Sequence, residues 1–322
     1  MKAARLVGPQ RYALVEEETP SPKEGECLIH IQRVSVCGSD LRRAFRPTLP
    51  EERYPLPVGL SGHECAGTVV ESRCTQVQEG QRVVVHPHSL QGLVEYLAVP
   101  PNRLAVVPQD NDLEGWLMCE PPATILPTCR QIGNVVGKRV VILGQGAIGL
   151  CQTLFMERLG AREIIVTDLE DYRLERARRL GATHTLNAAR VPALQAVEEL
   201  TRGEMADVVI EAAGEVETVQ QAPRFARHGG TVVFFGTTEE ELVPVDFRTL
   251  RTRELNTICT APGRGDQIGT YIQEMVALRE RGWMDPAQFI THRLPFSQVQ
   301  RAFEMYHRRE DGIIKVVLSL EE

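Results

Sequence analysis

Val140-Val141-Ile142-Leu143-Gly144-Gln145-Gly146-Ala147-Ile148-Gly149 is the stretch on which the reading of this chain turns. Four consecutive apolar residues, three of them β-branched, predict a buried strand. Glycines follow at once, and Ile148, Cys151, Phe155 and Leu159 then recur at helical spacing up to Gly160. Strand, glycine turn and helix in that order suit a dinucleotide. Gly144 permits the tight turn, Gly146 lets the backbone approach a pyrophosphate, and Gly149 lets the helix pack closely on the strand. The helix start at Ala147 and Ile148 offers unpaired N–H groups and a positive dipole end to the phosphates. A glycine fingerprint by itself is weak, but Asp168 ends the next strand nineteen residues after Gly149. A carboxylate there binds the adenosine ribose hydroxyls and repels a 2′-phosphate, so NAD is expected over NADP. Cationic Arg173, five residues further on, partly offsets that repulsion.

The same alternation continues downstream. Glu163 to Thr167 reads as a strand, and Leu174, Ala177 and Leu180 mark a helix that stops at Gly181. Val191 to Leu200 and Val216 to Arg227 read as helices, with Val208 to Ile210 and Thr231 to Phe235 as strands. Strands alternating with helices imply a parallel sheet covered on both faces. Upstream the grammar differs. Residues 1 to about 110 read as short strands between Pro and Gly punctuation, such as Cys27 to Gln32 and Arg82 to His86. After about residue 262 a helix around Tyr271 to Arg281 and a final strand from Ile313 to Leu318 close the chain. A length of 322 residues suits two domains.

Composition excludes several classes. Hydrophobic content of 43% with 25% charged residues is that of a folded chain. A net charge of -7 argues against a nucleic-acid partner, which calls for a basic surface. No stretch approaches the roughly 18 apolar residues of a membrane span, and the N-terminus lacks the apolar core of a signal peptide. The eight cysteines contain no CxxC pair. Reduced thiols in the cytoplasm are the simpler reading for a chain of this size.

Three fragments carry ligand-type residues: Cys37-Gly38-Ser39-Asp40-Leu41, Gly62-His63-Glu64-Cys65 and Cys119-Glu120-Pro121. Their dispersed spacing does not by itself make a metal site, and each taken alone reads as structural. Together with Arg82-Val83-Val84, Val94-Glu95-Tyr96, the glycine turn and Asp311-Gly312-Ile313-Ile314-Lys315, they resemble the zinc-dependent medium-chain dehydrogenases, the family of alcohol, sorbitol and threonine dehydrogenases. The resemblance spans nearly the whole chain. It implies a Rossmann doubly wound parallel sheet over 128–262 and a GroES-like β-rich catalytic domain over 1–127 and 263–322. It further implies one catalytic Zn²⁺ held by Cys37 and His63, with Glu64 as a ligand of the polyol-type arrangement and Glu120 as a further or exchanging one. Ser39 resembles the relay hydroxyl, and Lys315 the cation that reaches the cofactor pyrophosphate. The activity implied is oxidation of a secondary alcohol (a polyol, sugar, cyclitol or amino alcohol) with hydride transfer to NAD. A homodimer or homotetramer is implied too, paired through the strand around Leu255 to Cys259.

Adjacent side chains of an extended segment point to opposite faces, so Cys119 and Glu120 are not expected to ligate together, and Glu120 is preferred. Only His86-Pro87-His88-Ser89-Leu90-Gln91 separates the Arg82 strand from Gly92. The four-cysteine lobe that holds a structural zinc in many relatives is therefore missing. His86 and His88 are expected to face water rather than a second metal. Arg42 stands five residues after Cys37, where many relatives carry a relay histidine. A guanidinium cannot accept that proton, and Arg42, Arg43 and Arg46 together suit a surface role or an anionic group. Two rivals stand beside this reading. One is a zinc-free quinone or enoyl reductase, which has no need of Cys37, His63 and Glu64. The other is a non-catalytic NAD-binding protein.

Overall fold

The computed structural model describes residues 1–321 apart from Thr48, Pro262 and Arg264. The chain divides into two compact units, Met1–Thr124 with Pro262–Glu322, and Ile125–Ala261.

In the first unit the strands are β1 (Lys2–Gly8), β2 (Arg11–Glu16), β3 (Cys27–Ser35), β4 (Glu64–Ser72), β5 (Arg82–Val85), β6 (Tyr96–Val99) and β7 (Leu104–Val106). The second unit holds β8 (Arg139–Leu143), β9 (Glu163–Asp168), β10 (His184–Asn187), β11 (Ala206–Glu211), β12 (Ala226–Phe234) and β13 (Asn256–Cys259). The chain then returns to the first unit for β14 (Ile290–Pro295) and β15 (Lys315–Ser319).

A mostly antiparallel sheet ordered β14-β15-β3-β4-β5-β7 organises the first unit, with β6 also paired to β3. Ile29, Ile31, Cys65, Val69, Val83 and Val85 give it a continuous apolar core with Phe45, Phe296 and Phe303. β15 is an interior strand, which puts Lys315 inside the unit instead of on an edge. Arg103, 2% exposed, spends its guanidinium on backbone oxygens of His86 at 2.9 Å, Gly263 at 3.1 Å and Gly265 at 2.8 Å. It thus ties the returning chain to the end of β5.

In the second unit the order is β10-β9-β8-β11-β12-β13, every pair parallel. Counted from β8 this is 3-2-1-4-5-6, the dinucleotide-binding order, and the glycine turn leaves β8 where the winding reverses. All five residues of β8 are buried, as a central parallel strand requires. Two helices are shorter than their periodicity predicts. The one expected over Val216–Arg227 ends at Gln221, because Pro223 supplies no N–H donor, and Ala226 already begins β12. The one expected from Val191 begins at Ala193, since Val191 precedes a proline and is steered out of helical geometry.

Candidate functional site

The end of β3 delivers Cys37, and the start of β4 delivers Glu64 directly after His63. Antiparallel pairing of Ser35 with Glu64 brings these two chain segments side by side. As a result one ligand-type atom from each of Cys37, His63 and Glu64 lies within 4.8 Å of the others. His63 and Glu64 are buried, and Cys37 is half-buried.

Each of these side chains is held by a further partner. Asp40 accepts the Cys37 N–H at 3.0 Å and, on its other oxygen, the Ser61 hydroxyl at 2.7 Å. The same oxygen sits 2.7 Å from His63 Nδ1, so the ring turns its other nitrogen to the cysteine side. Burial opposes charge on both groups, yet their mutual attraction wins: Asp40 is lowered and His63 raised. Ser39 Oγ donates to Cys37 Sγ at 3.4 Å. Burial raises the Glu64 carboxyl, opposed by Lys315, whose Nζ donates to both of its oxygens, one at 2.6 Å. Lys315 is 1% exposed and its pKa is raised, burial being outweighed by Glu64 and Cys37. The expectation that Lys315 reaches out to a pyrophosphate is thereby corrected: its ammonium is committed to Glu64.

Glu120 stands outside the trio. Its Oε1 lies 2.5 Å from His86 Nδ1, with both groups buried. Burial lowers the His86 pKa, and Glu120 is lowered because its hydrogen bond to His86 overrides burial. The expectation that His86 faces water is also corrected. The segment at Cys119 is not extended: Glu120 opens the short helix Glu120–Ala123, and Cys119 has helical dihedrals. Cys119 is buried with its thiol pushed up to about 12 by burial. Cys65 is buried against the carbonyl of Gly92. Arg42 is half-buried on the π-helical turn Leu41–Phe45.

This donor set fits zinc. Thiolate, imidazole and carboxylate are its usual ligands. Two buried carboxylates, Glu64 and Glu120, repel each other and share the attraction of one buried ammonium, Lys315, and a dication offsets that imbalance.

In the second unit the glycine turn has the shape that sequence demands. Gly144 has φ +92, and a Cβ on Gly149 would lie 2.0 Å from the Gly144 carbonyl oxygen. A Cβ on Gly146 would meet nothing within 4 Å, so open space stands over the turn beside the first residues of the helix Ala147–Arg158, Ala147 and Ile148. Asp168 ties the turn down, accepting the Gln145 N–H at 2.6 Å on Oδ2. Its Oδ1 accepts the N–H groups of Leu169 and Glu170. Arg173 Nη1 lies 3.7 Å from the same carboxylate.

Comparison with known proteins gives this geometry its context. The profile described as "Alcohol dehydrogenase GroES-like domain" matches residues 23–109, and "Zinc-binding dehydrogenase" matches residues 147–278. An uncharacterized zinc-type alcohol dehydrogenase-like protein of Escherichia coli, YdjJ, is 31% identical over 99% of both chains. The chain belongs to the zinc-dependent medium-chain dehydrogenase family. The sorbitol dehydrogenase of Bacillus subtilis is 27% identical over 99% of this chain and 97% of its own. The alcohol dehydrogenase TADH of Thermus sp. ATN1 superimposes with a TM-score of 0.87 at 25% identity, covering 100% of both chains. The Rossmann and GroES-like folds are those of this family, and membership makes the chain an oxidoreductase of zinc and nicotinamide chemistry.

The sequence left Asp40 without a role in this medium-chain dehydrogenase's polar network and gave His86 and Lys315 different partners. Asp40 carried a signal, since an acid three residues into a helical turn caps it as Asp40 does for Cys37. His86 and the commitment of Lys315 to Glu64 carried none, because their partners are remote in sequence.

Proposed function

We propose that this chain oxidises a secondary alcohol, of the polyol, sugar, cyclitol or amino-alcohol class, to a ketone with hydride transfer to NAD. The observation that carries the reading is the convergence of Cys37, His63 and Glu64 within 4.8 Å. These three hold one zinc ion, and Glu120, kept in place by His86, is the further ligand that exchanges with water. Zinc bound there supplies a Lewis acid for the substrate oxygen and lowers the alcohol's pKa. Asp40 fixes the His63 tautomer and orients its ring. Lys315 neutralises Glu64 and limits its donation. Ser39 would take the alcohol proton and release it to solvent, since Arg42 stays protonated and cannot accept it. The turn Gly144–Gly149 cradles the pyrophosphate against the N–H groups of Ala147 and Ile148, and Asp168 receives the ribose. Arg173 steadies Asp168 and leaves the selection of NAD to that carboxylate.

Glu64 and Glu120, in place of further cysteine ligands, favour the polyol side of the family, as does likeness to a sorbitol dehydrogenase. β13 closes one side of the six-stranded sheet, and its residues are largely exposed. Its open edge suits pairing with a second copy in a homodimer or homotetramer. Among the described residues no helix is long and apolar enough to cross a membrane, and every cysteine is free, which suits a cytoplasmic setting.

A panel of secondary alcohols read by NADH absorbance, with and without a chelator, tests the reading. NADH formation that stops on metal removal and returns with zinc is expected. Turnover indifferent to chelation sinks it in favour of a zinc-free reductase, and silence across the panel with zinc and NAD bound favours a non-catalytic role.

A further inference from the structure

Far from the metal ligands, at the other end of β3, two thiols meet. Cys27 opens β3, and Cys74 follows the end of β4 by two residues. Their sulfurs are 3.3 Å apart. Backbone bonds bracket the pair: Cys27 is registered with Ser72, Gly25 N–H donates to the Arg73 carbonyl at 2.8 Å, and Arg73 N–H donates to the Glu26 carbonyl at 2.9 Å. The two chain segments are therefore held side by side, with the two sulfurs already in contact.

The two cysteines differ in the ways an oxidation couple requires. Cys27 is 0% exposed, whereas Cys74 is half-buried and reachable from solvent. Cys74 Sγ lies 3.3 Å from Cys27 Sγ and 3.7 Å from Ser72 Oγ, whose hydroxyl donates to the Val77 carbonyl at 2.6 Å. Burial raises the Cys74 pKa, but hydrogen bonding, led by that with Cys27, overcomes it and the pKa is lowered. Cys27 moves the other way, pushed up to about 11 chiefly by burial. An accessible cysteine in contact with a buried one is the arrangement of a peroxide-reactive cysteine with its resolving partner.

We propose that Cys74 and Cys27 form a reversible oxidation site, in which a hydroperoxide converts the two thiols to a disulfide. In the first step the Cys74 thiolate attacks the distal peroxide oxygen. An S–O bond forms, the O–O bond breaks, and the departing oxygen takes a proton to leave as an alcohol or, from hydrogen peroxide, as water. Cys74 is then a sulfenic acid. In the second step the Cys27 sulfur displaces that hydroxyl; an S–S bond forms, and the hydroxide leaves as water with the Cys27 proton. Two thiols are oxidised and one peroxide is reduced. Nine strand residues at about 3.3 Å each put the site roughly 30 Å along β3 from the segment bearing Cys37, so the cross-link clamps the outer end of the β3–β4 pair without touching the zinc ligands. Ordinary cellular thiols restore it by exchange.

The test treats the zinc-loaded full-length chain with a mild, substoichiometric hydroperoxide, then alkylates, digests and maps it by mass spectrometry. A peptide pair joining Cys27 to Cys74, two hydrogens lighter than the reduced pair and abolished by a thiol reductant, is expected. It forms before Cys37 is modified. A sulfenic-acid trap added during the reaction captures Cys74 and not Cys27, and in Cys27→Ala the trapped form of Cys74 accumulates. Should Cys27→Ala fail to fold, the wild-type mapping still decides. Oxidation of Cys74 to the sulfinic acid with no link to Cys27 overturns the proposal, as does modification of other cysteines while this pair stays reduced.

Discussion

The two candidate sites are built on opposite principles. In the first unit, side chains do the work and are packed away from water: His63, Glu64, His86, Glu120, Asp40 and Lys315 are all buried and all paired. In the second, backbone does the work, and the decisive residues are glycines chosen for what they lack. A buried polar network is costly unless every member is satisfied, so substitutions there propagate from partner to partner. A glycine turn fails by collision, locally.

That contrast can be broken at either end. The largest effect is expected for His63→Ala or Cys37→Ser: zinc content measured by elemental analysis falls to background, and turnover falls about 1000-fold, the several kcal/mol that a Lewis acid supplies. Binding of NAD, followed by calorimetry, persists. Gly149→Ala reverses the pattern. Its Cβ would stand 2.0 Å from the Gly144 oxygen, so an overpacking loss of about 3 kcal/mol is expected, with NAD binding lost and zinc retained. Asp40→Asn keeps the shape but removes the charge facing His63, and zinc affinity, measured against a competing chelator, should fall about tenfold. Asp168→Ser should raise the preference for NADP relative to NAD about tenfold, near 1.4 kcal/mol, read as a ratio of kcat/KM values. It also loosens the turn, because Gln145 N–H loses its acceptor.

The smallest effect lies outside both sites. Asp246 caps the helix Phe247–Thr252 through the Thr249 N–H and pairs with Arg224. These bonds lower its pKa from 3.8 to about 2, led by the bond from Thr249 N–H. Its folded value lies below its unfolded one, so its contribution is complete above pH 3.8 and is lost as pH falls through about 2. Asp246→Ala should cost about 1 kcal/mol at neutral pH by thermal melting, and the difference from the parent should shrink with acidification across that window.

The same contrast governs what the sequence disclosed. The glycine turn was fully legible, because a backbone requirement for φ +92 at Gly144, or for a missing Cβ at Gly149, leaves its mark on a single letter. The strand-helix alternation of the second unit was legible for a similar reason: parallel strands buried on both faces read as apolar runs. Helix ends were not, where Pro192 and Pro223 overrode periodicity. The proposed metal ligands emerged only through family resemblance, as no local pattern links Cys37 with His63 and Glu64; the β3–β4 register does that. Partners such as Lys315 for Glu64, 251 residues away, leave no trace in sequence at all. Their pairing is a product of strand order, with β15 placed next to β3.

Arg103 bears on how the interrupted first unit is held together. By gripping the oxygens of Gly263 and Gly265 it fixes where the polypeptide resumes the first unit. The helix Ile268–Glu280 packs there against Glu120–Ala123, the last helix before the chain departs. The two stumps of the interrupted unit are thus neighbours. The first unit closes on itself across the interruption, through contacts made by its own residues.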